Sequence, residues 1–281
     1  MYAWSSAFPR RFLFPSCLLL SLASAVHAAV VTRGPYLQSA TPTGITIRWR
    51  TDQPTGSAVR YGLHADALNR IEHIQEHTTE HVVELRGLAP DTRYFYSVGG
   101  AVGPFASGPD YFFRTSPVPG LSKPTRIWAI GDCGTFATGA GRQIEVRNAF
   151  YHYAANRPAD VWLALGDNAY YSGTDAEYQA SFFNVYPTLL RNTVLWSTVG
   201  NHETYAVPGG QPLPYFDIFS FPTRGQSGGV PSGTEKYYSF DYANIHFVCL
   251  DSEVSDRSMD GPMLTWLHAD LDARRISPGR F

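Results

Sequence analysis

The sequence predicts two domains, an all-β sandwich followed by an α/β unit, and three observations predict it. From Ala29 to Pro117 apolar residues alternate with polar ones at period two, between frequent Gly, Pro and Asp. After residue 118 continuous apolar runs alternate instead with stretches of helical spacing. Between the two patterns, Ser116 to Pro124 holds Pro117, Pro119, Gly120 and Pro124, the composition of a linker. A chain of 281 residues has room for two ordinary domains.

The first residues have the grammar of an address. Arg10 and Arg11 precede the apolar run Phe12 to Val26, and Val26-His27-Ala28 offers a small-residue cleavage pattern. Cutting after Ala28 makes residues 1–28 a signal peptide and the protein secreted or periplasmic. The run is shorter than the ~20 residues of a spanning helix and contains Pro15 and three serines, which speaks against a stable membrane anchor. A formal net charge of −2, with no basic run, excludes nucleic acid as a partner. Cleavage removes Cys17. Cys133 and Cys249 lie beside predicted core strands without framework spacing, so they are expected as buried free thiols.

In the first domain Ile45, Ile47 and Trp49 alternate with Thr46 and Arg48. Ala58 to Tyr61 ends at Gly62. Tyr94, Tyr96 and Val98 form another alternating set, and Phe112 to Thr115 closes the region. The phrase Leu88-Ala89-Pro90-Asp91-Thr92-Arg93-Tyr94 resembles the tyrosine corner of fibronectin type III domains, in which the tyrosine hydroxyl bonds back to the backbone. His73, His77 and His81 share one face of a helix or of a strand. Val82, Val83 and Leu85 favour a strand, and the histidines are expected to be solvated rather than a metal stripe.

In the second domain Ile127–Ile130, Val161–Leu165 and Val194–Val199 read as strands. Arg142–Asn156 has helical spacing through Val146, Ala149, Phe150 and Tyr153. Phe182, Tyr186, Leu189 and Leu190 mark a second helix, bent or ended near Pro187. Residues 203–235 form a long Gly- and Pro-rich loop of the kind that shapes binding sites. Tyr238–Asp251 contains a strand pair, with His246–Leu250 as its expected buried member. Leu264, Leu267 and Leu271 mark a final helix opened by Pro262. His246 is expected as a core or supporting histidine, and His152 and His268 as structural ones.

Each of the three strands ends in a phrase rich in potential ligands: Gly131-Asp132-Cys133-Gly134, Gly166-Asp167-Asn168-Ala169-Tyr170 and Gly200-Asn201-His202-Glu203. Open α/β sheets place their sites at such carboxyl ends. Thirty-five residues separate Asp132 from Asp167, and thirty-four separate Asp167 from Asn201. Each interval suits one strand–helix–strand crossover, so the three turns return to one edge of the sheet. Two carboxylates brought together away from water call for a cation. Oxygen donors suit hard metals, and a carboxylate shared by two ions sets them ~3.5–4 Å apart, the span that clamps a phosphoryl group. Gly131, Gly166 and Gly200 let the backbone turn sharply and approach closely.

These phrases resemble the first three motifs of calcineurin-like metallophosphoesterases, and the tyrosine in fifth place of the second phrase narrows the resemblance to the purple acid phosphatases. The resemblance implies residues 29–117 as a fibronectin type III-like sandwich and 118–281 as the N-terminal part of an αββα metallophosphoesterase sandwich. It implies Asp132 and Tyr170 as ligands of a ferric ion, Asp167 as the bridge to a divalent ion (Zn, Mn or Fe), Asn201 as a ligand of that divalent ion, and His202 as the catalytic residue that assists the leaving group. A phenol with a pKa near ~10 ligates at low pH only beside a strongly acidic cation, which Fe(III) is. Tyr171 is read as packing.

The family supplies three further histidine ligands, one in a strand after the final helix and two in a Gly-His-x-His turn. Neither motif occurs in this sequence, which leads to the expectation of a C-terminally truncated chain of impaired activity. The function implied is hydrolysis of phosphate monoesters of small molecules. The alternatives are a non-catalytic exported binding protein derived from such an enzyme, and a phosphodiesterase.

Overall fold

The computed structural model describes residues 1–2, 28–139, 141–155, 157–206 and 213–275. The signal segment, Cys17 and Ile276–Phe281 lie outside the described residues, apart from Met1, Tyr2 and Ala28.

The N-terminal part is one six-stranded antiparallel sheet: β1 Val31–Thr41, β2 Gly44–Gly62, β3 Arg70–Arg86, β4 Arg93–Gly99, β5 Pro104–Ala106 and β6 Phe112–Arg114. The long strand β2 organises it. Its first half pairs with β1 and β3, and its second half with β3 and β4. A register shift between Arg50 and Ser57 separates the halves, where Gln53-Pro54-Thr55-Gly56 interrupts the ladder. Ile45, Ile47 and Trp49 are buried, as their alternation predicts. Tyr94 closes its corner by accepting a hydrogen bond at its hydroxyl from the Ala89 N–H at 3.0 Å, over a buried Leu88.

His81 overturns the expectation of solvated histidines. It is fully buried, with its ring stacked on Trp49 at 4.6 Å between centroids and 6° between planes. Its nitrogens meet Thr51 Oγ1 at 2.7 Å and Ser57 Oγ at 2.8 Å. Burial lowers its pKa to about 4, so the imidazole is neutral. The period-two pattern marks which face His81 shares, but not that Trp49 lies opposite it across the β2–β3 ladder. His77 is exposed and His73 half-buried.

The C-terminal part begins with three parallel strands in sequence order, β7 Ile127–Ile130, β8 Val161–Ala164 and β9 Leu195–Ser197. Helix α1 Gln143–Ala154 connects the first pair. The second connection is α2 Asp175–Tyr178, a π-helical turn Gln179–Phe183 and α3 Pro187–Asn192, rather than one helix. Pro187 starts α3 instead of ending its predecessor, because a first-turn proline forfeits no helical hydrogen bond. A short helix α4, Pro214–Ile218, lies within the long loop. The hairpin of β10 Tyr238–Tyr242 and β11 Ile245–Cys249 follows, then α5 Pro262–Arg275. The buried member of the hairpin is β10, not the segment His246–Leu250: every β10 residue is buried, with Phe240 stacked on Trp196 at 3.8 Å, whereas β11 is half-buried throughout. Among the described residues no helix is long and apolar enough to cross a membrane.

The apolar core runs through both parts without a break. Tyr36 of β1 packs edge-on against Phe183 at 4.9 Å, and its hydroxyl donates to the Ile218 carbonyl at 2.6 Å. At the same boundary Asp175 accepts from Arg33 at 2.8 Å and from both terminal nitrogens of Arg50 at 2.7 Å. Hydrogen bonding by Arg50, and then by Arg33, pulls the Asp175 carboxyl down to about 2 against the opposing effect of burial. The Pro-rich connector is also held: the Gly120 N–H donates to the Ala243 carbonyl at 2.8 Å.

Candidate metal centre

The parallel strands end side by side, so the three ligand-rich phrases emerge at one sheet edge. Two backbone contacts draw the first two together: Asp132 N–H donates to the Gly166 carbonyl at 3.1 Å, and Gly134 N–H to the Asp167 carbonyl at 3.2 Å. Both aspartates sit in the left-handed region, Asp132 at φ 53° and Asp167 at φ 52°. Such conformations cost a non-glycine residue on the order of 1 kcal/mol or more and persist where surroundings enforce them.

The glycines permit this crowding, though not all of those expected. Gly166 turns at φ 89°. A Cβ on Gly200 would lie 2.3 Å from both the Asp167 N and its Oδ1, and one on Gly134 would lie 2.3 Å from the Asn168–Ala169 backbone. Gly131 meets neither condition: it has no positive φ, and its Cβ would come 3.3 Å from the Leu165 side chain. Gly134, to which the sequence reading gave no role, is the glycine of the first phrase that close approach demands.

Asp132, Asp167 and Tyr170 converge. The Tyr170 hydroxyl donates to Asp132 Oδ1 at 2.9 Å and to Asp167 Oδ2 at 3.0 Å. Asp132 is exposed, Asp167 buried and Tyr170 half-buried, so the oxygens open to solvent on one side only. Burial, and then the hydrogen bonds to the two carboxylates, raise the Tyr170 pKa well above that of an ordinary phenol. The third phrase joins through the His202 N–H, which donates to Asp167 Oδ1 at 3.0 Å. His202 Nδ1 lies 2.6 Å from the Tyr171 carbonyl. Since a carbonyl only accepts, Nδ1 carries the proton, and Nε2 is left for other work. Asn201 is exposed and its Nδ2 donates to the Tyr205 hydroxyl at 3.0 Å, which directs its Oδ1 away from that partner.

Two residues acquire unexpected places. Glu203, quoted in the third phrase without a role, is fully buried beneath the site. Its Oε2 accepts from Gly200 N at 2.7 Å and Asp167 N at 3.0 Å. Its Oε1 accepts from Asn168 N at 2.7 Å, Asn168 Nδ2 at 3.3 Å and Tyr178 OH at 3.0 Å. Burial raises its pKa, opposed by these donors. One carboxylate thus ties the second phrase to the third. A charged residue at the end of a polar motif is the only signal that could have found it. Tyr171, read as packing, is instead 60% exposed at the mouth of the site.

The remaining candidates stand apart. His246 bridges Asp241 and Asp270 at 2.7 Å each, within the hairpin and α5. Its two ring nitrogens both face carboxylates, and the hydrogen bonds they form raise its pKa despite burial. His152 and His268 are exposed. Cys133 and Cys249 are free, and burial pushes their thiols up to about 12 and about 11, where neither is a nucleophile.

A hard cation fits the converging oxygens. Among the described residues no three His, Cys, Asp or Glu side chains gather closely enough to hold one, and the further oxygen that the structure sets beside the two carboxylates is the Tyr170 phenol. The Tyr170 hydroxyl faces both carboxylates, and a cation set among these oxygens would offset both negative charges and reverse the influence that keeps Tyr170 protonated.

Comparison with known proteins adds the following. Residues 33–115 match the family model of the purple acid phosphatase N-terminal domain, and residues 125–272 match that of the calcineurin-like phosphoesterases. Purple acid phosphatase 21 of Arabidopsis thaliana is 30% identical over 197 residues, covering 68% of this chain and 39% of that protein. Purple acid phosphatase 23 of the same plant is 29% identical over 225 residues, covering 70% and 46%. The chain therefore spans less than half the length of these relatives. Among solved structures, a purple acid phosphatase from yellow lupin (Lupinus luteus) seeds superposes with a TM-score of 0.64 at 19% identity, over 88% of this chain and 48% of that one. The structure of PhoD gives 0.55 at 16% identity, over 79% and 52%. At these identities the two structures speak for the fold alone.

Proposed function

The chain belongs to the calcineurin-like phosphoesterases, a family of hydrolases, and from that premise we propose that it is an acid phosphatase that cleaves phosphate monoesters of small molecules at a dinuclear metal centre. The observation that carries this reading is the convergence of Asp132, Asp167 and Tyr170 through one phenol proton. In this proposal Asp132 and Tyr170 hold a ferric ion, Asp167 bridges to a divalent ion (Zn, Mn or Fe), and Asn201 contributes its Oδ1 to the second. When bound, the ions neutralise phosphoryl charge and supply a strong nucleophile at low pH.

The chain's own residues do the rest. Asp167 is fixed at its nitrogen by Glu203 Oε2, at its carbonyl by the Gly134 N–H and at Oδ1 by the His202 N–H, so Oδ2, which faces the Tyr170 hydroxyl, has one direction. His202, held at Nδ1 by the Tyr171 carbonyl, presents Nε2 to the departing ester oxygen and in its imidazolium form gives up that proton. Two extensions belong to the same reading. The tyrosine corner supports a fibronectin type III-like identity for residues 29–117, and residues 1–28 support export as a signal peptide, with 118–281 as the phosphoesterase part.

The test is spectroscopic. Chain loaded with iron(III) and zinc is expected to show a visible phenolate-to-iron band that Tyr170→Phe abolishes. A colourless loaded protein, or a band unchanged in Tyr170→Phe, overturns the ferric assignment. Phosphatase activity lost in Asp167→Asn is the corresponding test of the reaction.

A further inference from the structure

Two tyrosines at the mouth of the site leave much of their rings in water. Tyr171 and Tyr205 are 60% and 50% exposed, yet both are anchored. The Tyr171 backbone is pinned at each end: its N–H donates to Glu177 Oε1 at 2.6 Å and its carbonyl receives His202 Nδ1 at 2.6 Å. Tyr205 is held at its hydroxyl by Asn201 Nδ2. The rings flank His202, with centroids 6.4 Å (Tyr171) and 4.9 Å (Tyr205) from the imidazole, while Tyr170 lies 4.3 Å from it. Leaving large aromatic area in water while fixing the backbone that carries it is the arrangement of a preformed contact surface.

Resting on the phosphomonoesterase reading above, we propose that Tyr171 and Tyr205 form the leaving-group subsite and favour esters whose leaving group is a planar aromatic ring bonded directly to the ester oxygen: phosphate esters of phenols. The geometry selects this class. The ester oxygen meets His202 Nε2, so a ring bonded to it stays beside the imidazole, within reach of two rings 4.9 and 6.4 Å from it. A base carried on a sugar is held further out, beyond them. A planar ring gains offset or edge-to-face stacking that a puckered ring of equal size does not. Tyr171 and Tyr205 thereby determine specificity, and the bond-breaking chemistry is that of the parent reading.

Equilibrium binding tests this without turnover. Isothermal calorimetry on the iron- and zinc-loaded chain compares benzylphosphonate, (cyclohexylmethyl)phosphonate and methylphosphonate, in which a carbon stands in place of the ester oxygen so that no ester bond can be hydrolysed. Benzylphosphonate is expected to bind about three- to tenfold more tightly than (cyclohexylmethyl)phosphonate, the worth of one good aromatic pair. Tyr171→Leu brings that ratio towards one while keeping the carbonyl that holds His202. Tyr205→Phe keeps the ring, loses the bond to Asn201 and retains the ratio. Equal binding of the benzyl and cyclohexylmethyl probes, or a ratio unchanged in Tyr171→Leu, overturns the subsite while methylphosphonate binding leaves the phosphoester reading standing. If no phosphonate binds, the phosphoester reading falls and the subsite with it.

Discussion

Replacing Glu203 by Gln changes one oxygen for one amide nitrogen, and the structure sets a large cost for so small a change. Five donors converge on the carboxylate: Gly200 N and Asp167 N on Oε2, Asn168 N, Asn168 Nδ2 and Tyr178 OH on Oε1. Glutamine has one accepting end, so its NH2 must face donors. Turned towards Oε2's partners, it orphans two buried backbone N–H groups. Turned the other way, it orphans the Asn168 N–H, and the Tyr178 hydroxyl must rotate to accept. The second choice is cheaper: one buried unsatisfied donor at ~1–3 kcal/mol, plus the loss of charge assistance in the surviving bonds, gives about 3–5 kcal/mol. For a chain of this size that lowers Tm by about 6–15 °C. Thermal and urea unfolding followed by tryptophan fluorescence measure it. The same variant releases the Asn168 N–H, next in the chain to Asp167, and loosens the loop that holds that strained aspartate, so iron affinity measured by chelator competition falls as well. A Glu203→Gln protein within about 1 kcal/mol of the parent, with iron affinity unchanged, refutes the view that this carboxylate ties the two site loops together.

Three further predictions concern other parts of the molecule. Gly200→Ala places a methyl 2.3 Å from the Asp167 N and Oδ1 and must push the second and third loops apart, so iron binding by chelator competition is expected to drop at least tenfold; unchanged binding would show that the loops yield freely. Asp175, whose carboxyl is pulled to about 2, contributes stability that is complete above pH ~4 and lost as the pH falls through about 2. Because its side chain is 46% exposed, solvent screening reduces this to about 1 kcal/mol, and Asp175→Asn should flatten the acid limb of the urea midpoint by that amount. His81 is held neutral with a pKa of about 4, so its contribution is present above pH ~6.5 and is lost as the pH falls to about 4, by about 3 kcal/mol at most. An NMR titration in which His81 takes up its proton near 6.5 in the folded protein would contradict this.

Much of the site was legible in the chain because local chemistry wrote it there. A turn after an apolar strand must expose its polar residues, and two crossover-length intervals return three such turns to one edge. Asp132 and Asp167 meet on that logic, whereas Tyr170, which stands between them, was named by the family resemblance rather than by spacing. Glu203 was not legible, since a carboxylate beneath a site and one on its surface are spelled alike. Tyr171 was misjudged for the converse reason: an aromatic residue beside a ligand resembles packing until its neighbours are known. The helix over Phe182–Leu190 failed as a single element because apolar spacing continued across the π-helical turn and the start at Pro187.

The order of elements, the change from period-two to helical spacing, and the candidate ligands themselves follow from the linear pattern, because strand and helix periodicity and turn chemistry act over a few residues. Whether a polar group ends in water or in the core depends on residues far away in the chain. His81 is buried because Trp49 and Thr51 face it across a ladder, Asp175 is acidic because Arg33 and Arg50 reach it from the other domain, and Glu203 becomes a clasp because Asp167 and Asn168 come within 3.0 Å of it. Burial and charge pairing are properties of the packed whole, and only the tertiary structure decides them.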